Sequence, residues 1–88
     1  MPNLFFHIAS ILIVALEKDK IFLIAFGKNL KKLRKEKGLS QAQLAFEANI
    51  ELSQISRIER GQINTTIANV KLISKILEIP LVNFFDFE

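Results

Sequence analysis

Eighty-eight residues, half of them apolar and 24% charged, describe one folded domain rather than a disordered chain. The lack of cysteine excludes disulfides, thiolate metal sites and cysteine nucleophiles, and fits a cytoplasmic protein. The net charge is only +3, but Lys28, Lys31, Lys32, Arg34, Lys35 and Lys37 crowd one stretch against Glu36 alone, whereas Glu78, Asp86 and Glu88 make the end acidic. Such asymmetry suits a polyanion partner on one side, and equally suits a solubilising surface.

Residues Leu4 to Leu16 read LFFHIASILIVAL and carry no formal charge. Thirteen residues are too few to span a bilayer, which needs about 20. No cation precedes them and no small-x-small cleavage site follows, so a signal peptide is not expected. After Glu17-Lys18-Asp19-Lys20, Phe22, Phe26, Leu30 and Leu33 recur at steps of four, four and three, one face of a helix with Asp19 as its expected N-cap. Gly38 suits the left-handed residue that stops it. Ser40 and Gln43 then form a capping-box pair opening a second helix, with Leu44, Ala45 and Ala48 as its buried stripe.

Asn49, which tolerates positive φ, ends that helix. A third helix is expected over Leu52 to Arg60, closed by Gly61. Thr66 is the expected N-cap of a fourth, whose Ile67, Val70, Ile73, Ile76 and Leu77 share a face. Pro80 starts a fifth turn through Leu81, Phe84 and Phe85. The fold class is therefore all-α: five helices, preceded by an extra apolar N-terminal segment expected to be helical.

Two short helices joined by a tight turn, with a small residue (Ala45) in the first and an apolar plug (Ile50) after the turn, meet the requirements of a helix-turn-helix. At 100° per residue, Ile55, Ile58 and Glu59 point together toward the core. Ser53, Arg57 and Arg60 point away, with Gln54 and Ser56 on the flanks. That outward face is rich in hydrogen-bonding groups and has no central carboxylate. Arg57 is the first choice for a base contact, because a guanidinium can grip guanine O6 and N7 together; the plainer roles are phosphate clamp or solvated Arg. Ser53 and Gln54 stand where base edges or phosphates are met. Leu52 suits a thymine methyl or the rim of the core. Glu51 stands at the N-cap. Gln41, opening the second helix, suits a phosphate at the positive helix end, or a capping role. Glu59 shares a face with two isoleucines and needs a buried partner, for which Arg34 is the best candidate. His7, the only histidine, has no acid or nucleophile near it in sequence, and no catalytic, metal or cofactor site is expected.

These residues resemble the phage-repressor/Cro-like (XRE-type) helix-turn-helix family. The resemblance runs from Gly27 to Phe85. It rests on Leu39-Ser40-Gln41-Ala42-Gln43-Leu44-Ala45, then Ile55-Ser56-Arg57-Ile58-Glu59-Arg60-Gly61, then Asn64-Thr65-Thr66 leading into an apolar helix. It implies a five-helix repressor-like domain that binds double-stranded DNA, commonly as a homodimer on a palindromic operator. It implies base contacts from Leu52, Ser53 and Arg57, phosphate contacts from Gln41, Gln54 and Arg60, and a structural ion pair between Arg34 and Glu59. The chain departs from the family at Glu51, where Ser or Thr often caps, at Phe46, where a charged residue is common, and at Thr65, which replaces a frequent Pro.

Residues 1–16 lie outside this pattern and 17–88 form the expected domain. Three readings compete for the extension: an added helix packing on the domain near Phe22 and Phe46, an element for oligomerisation or membrane-surface contact through residues 4–16, or translation from an upstream start. The last is the favoured expectation. The functional expectation is a sequence-specific transcriptional regulator. The alternative is an interaction or membrane-tethered module that keeps the fold without reading DNA.

Overall fold

The computed structural model describes residues 4–87. It contains α1 (Leu4–Glu36), α2 (Gln41–Ala48), α3 (Leu52–Glu59) and α4 (Ile67–Leu77), then a 3-10 helix (Leu81–Phe85), with no strand among the described residues. The class and order of elements agree with the sequence reading.

The start of α1 does not. Asp19 caps nothing: one helix of 33 residues passes straight through Glu17-Lys18-Asp19-Lys20. Local chemistry allows this. The stretch has neither Pro nor Gly, and Asp inside a helix costs less than about 1 kcal/mol. From Leu4 onward the extension is thus helical, but it continues α1 instead of packing beside Phe22 and Phe46. Phe46 stays 88% exposed, and the molecule is drawn out to 57 × 24 × 19 Å.

The far end of α1 closes by local rules. Gly38 takes φ +75°, its N–H donates to Lys35 O at 2.9 Å, and Leu39 N–H reaches back to Arg34 O at 3.3 Å. This paired arrangement satisfies carbonyls that a helix end leaves open. Ser40 then caps α2: its Oγ accepts from Gln43 N at 3.0 Å, while Gln43 Oε1 accepts from Ser40 N at 2.7 Å. Asn49 adopts the left-handed conformation at φ 52°, and Ile50 N–H donates to Ala45 O at 3.0 Å. These bonds fold the chain sharply between α2 and α3.

Phe26, Leu30, Leu33, Leu44, Ile55, Ile58, Val70, Ile73, Leu77 and Phe84 form one core, with Ile50 and Ile63 packed at its edge. Thr66 Oγ1 accepts from Asn69 N at 3.1 Å and opens α4. Two residues expected on buried faces are displaced outward. Ile67, in the first turn of α4, is 68% exposed and lines an open groove with Phe22, Ile63 and Phe85. Phe22 is half exposed and rests against Phe87, ring centroids 5.4 Å apart. Asn29 Nδ2 donates to Asn83 O at 2.9 Å and Phe84 O at 3.0 Å, tying the 3-10 helix to α1 and closing the core over Phe84.

Candidate nucleic-acid interface

α3 has two chemically different faces. Ile55, Ile58 and Glu59 are buried; Leu52, Ser53, Gln54, Arg57 and Arg60 are exposed, and Ser56 lies between. The apolar side fixes the helix to α1 and α2, so the polar side projects. Leu52 is 49% exposed, giving it both a core contact and an open methyl surface. Arg60 curls back, its Nε donating to Ser56 O at 3.3 Å. The helix opens from Glu51 without any side-chain cap: the Glu51 carbonyl accepts from Gln54 N and Ile55 N, and its carboxylate does not close the helix end.

Behind α3 lies a buried charge network. Arg34 Nε is 2.6 Å from Glu59 Oε2, and Arg34 Nη2 donates to Oε1 at 2.9 Å. Both side chains are almost wholly shielded from water. The remaining guanidinium nitrogen, Nη1, donates to Leu39 O at 2.7 Å. One side chain from the end of α1 thus grips the end of α3 and the loop before α2. Desolvating two charges is expensive, and such a pair is tolerated when its geometry is bidentate and its other polar atoms are bonded.

Gln41 is the third member. Its Nε2 donates to Glu59 Oε1 at 2.9 Å, while Gln43, not Gln41, completes the cap of α2. Sequence reasoning did not find this bond. Eighteen residues separate Gln41 from Glu59, and no local pattern spans that gap. The consequence is that the first residue of α2 and the last of α3 are held on one carboxylate.

The basic residues of α1 are set apart from this network. Lys28, Lys31, Lys32 and Lys35 are exposed on the side of the helix away from buried Leu30, and Lys37, just past the end of α1, is exposed as well. Only Arg34 of that run turns inward. Among the described residues no three His, Asp or Glu groups converge as a metal site. No described helix is long and apolar enough to cross a membrane.

The helix-turn-helix family model HTH_3 matches residues 30–84. The control protein C.BamHI of Bacillus amyloliquefaciens is 37% identical over 65 residues, covering 73% of this chain and 80% of that protein. The control protein C.MunI of a Mycoplasma species is 43% identical over 63 residues, covering 70% and 85%. The transcriptional regulator SinR of Bacillus subtilis is 36% identical over 61 residues, but the chain spans only 55% of its length. Among solved structures, the restriction-modification controller C.AhdI of Aeromonas hydrophila superposes with a TM-score of 0.73 at 36% identity, covering 75% of this chain and 96% of that one. With a buried anchor face, a polar projecting face and a family match over most of its length, the chain belongs to the HTH_3, XRE-type helix-turn-helix family.

Proposed function

We propose that this protein is a cytoplasmic, sequence-specific DNA-binding transcriptional regulator that lays α3 in the major groove and acts as a homodimer on a palindromic operator. The observation that carries the reading is the division of α3. Its inner face is locked by Ile55, Ile58 and the Arg34–Glu59 pair, and its outer face offers Ser53, Gln54 and Arg57 with no carboxylate among them. Leu52, Ser53 and Arg57 are the proposed base readers. Gln41, Gln54 and Arg60 are the proposed phosphate contacts; Glu59 holds the Gln41 amide in place and so fixes its position at the start of α2. The family match and the kinship with transcriptional regulators and controller proteins support the assignment.

A dimer gives two reading helices about 34 Å apart, one turn of duplex. Open apolar surface supports it: Phe22, Ile63, Ile67 and Phe85 line a groove on the side where α1, α4 and the 3-10 helix meet. Mechanistically, occupation of promoter DNA by such a dimer blocks or recruits polymerase.

The test is selection of bound duplexes from a random pool, followed by affinity measurements over a salt series. A symmetric preferred site and a steep loss of affinity with salt are expected. Binding without sequence preference would overturn the reading. Arg57→Ala is expected to lose about 1–3 kcal/mol of discrimination at one base position per half-site while the melting temperature holds.

One observation favours a second reading. Leu4, Ile8, Ile11 and Leu12 are exposed along the N-terminal half of α1, which suits a module attached to another protein or a membrane surface. Cell fractionation separates the two: a membrane-bound protein indifferent to DNA supports the second reading alone.

A further inference from the structure

The C-terminal end of α3 lies against the backbone of α1 at two successive turns. A Cβ built on Gly27 would stand 2.4 Å from Ile58 O, 2.5 Å from Glu59 O and 2.8 Å from Glu59 C. A Cβ on Gly61, just past α3, would stand 2.6 Å from Ile24 Cα. At Gly27 the neighbours are main-chain atoms, which no rotamer change can move aside. A glycine in a helix interior costs about 0.5–1 kcal/mol relative to alanine, so this position carries a cost that close backbone approach explains.

We infer that Gly27 is a positioning residue for DNA reading, setting how deeply the end of α3 seats on α1 and therefore the angle at which its outer face is presented. The argument is geometric. To move Ile58 O beyond 3.4 Å of an added methyl, the end of α3 must retreat by about 1 Å. The other end is held separately, by the Ile50–Ala45 backbone bond and by fully buried Ile55. Lifting one end of an eight-residue helix, about 12 Å long, tilts it by about 5°. Arg57 adjoins Ile58 and so travels with the displaced end, whereas Ser53, near the fixed end, moves least. A bidentate guanidinium–base contact depends on donor direction and suffers from this tilt; phosphate contacts carry no sequence information, so what the tilt costs them falls alike on selected and random duplex. The same retreat pulls Glu59 away from Arg34, whose bond to it is 2.6 Å. Gly27 therefore acts through α3, without touching DNA itself.

The inference rests on the reading of α3 proposed above, and its test separates the two. Gly27→Ala is compared with the wild type and with Gly38→Ala. Gly38 has φ +75° and open space around its missing Cβ, so its alanine variant strains the chain without pushing on α3. Affinity for the selected duplex and for random duplex is measured for all three proteins. Binding is read in sucrose at a temperature where circular dichroism shows each one folded, since excluded osmolytes favour the compact state. The expected result is that Gly27→Ala loses about tenfold or more in the ratio of specific to non-specific binding, its affinity for the selected duplex falling further than that for random duplex, while Gly38→Ala keeps the wild-type ratio. Equal ratios in both variants would overturn the inference. So would a Gly27→Ala protein that stays unfolded even in sucrose, because the glycine would then serve assembly of the fold. A wild type without sequence preference would instead remove the underlying reading of α3.

Discussion

Leu12 and Leu30 are the same residue in the same helix, and they meet opposite fates. Leu12 is 58% exposed; Leu30 is 1% exposed. The second half of α1 has α3 and the 3-10 helix laid against it. The described apolar side chains of the first half have water. The first half is the more apolar of the two in sequence, so burial here is decided by what the rest of the chain brings alongside. The C-terminal half supplies Phe26, Leu30 and Leu33 to the core and Arg34 to the ion pair. The N-terminal half supplies length.

The sharpest way to test that division is at the ion pair. Glu59→Ala leaves the Arg34 guanidinium buried without its carboxylate and is expected to cost about 3–5 kcal/mol in urea unfolding; an unchanged midpoint would mean that α3 is not anchored through α1. Leu30→Ala, a cavity in the packed half, is expected to cost about 2–5 kcal/mol by the same measurement. Ser40→Ala removes the cap of α2 and should cost about 1 kcal/mol. Removal of residues 1–16 is expected to change stability by less than about 0.5 kcal/mol and to leave affinity for the selected duplex intact. A loss on truncation as large as that of Leu30→Ala would break the comparison, since the first half of α1 would then be part of the folded unit.

The legible parts of the fold are those governed by neighbours in sequence. Ser40 with Gln43, Asn49, Gly61 and Thr66 each act over three or four residues, and the element boundaries they mark agree with the pattern, except that α3 ends at Glu59, one residue before the expected Arg60. The wheel of α3 also separated its faces correctly, because Ile55 and Ile58 leave little choice about which side is buried. The start of α1 departs from the pattern for a related reason: Asp19 has the chemistry of a cap, but a cap needs the helix to begin there, and α1 already runs through it from Leu4. Ile67 has the spacing of a core residue but faces an open groove. The Gln41 bond to Glu59 and the approach of Gly27 to α3 are contacts between distant stretches of chain. They follow from the packed geometry, and periodicity carries no record of them.

The unbroken course of α1 has a practical consequence. Ser10 is exposed and lies fourteen residues before Ile24, about 21 Å along the axis. A fluorophore placed there rides on the same rod that touches the end of α3 through Gly27 and Gly61 through Ile24. Two labelled copies bound to one operator would therefore hold their dyes at a fixed offset from their reading helices. Energy transfer between the dyes would then measure half-site spacing directly, with the helix serving as a molecular ruler and the DNA left unmodified.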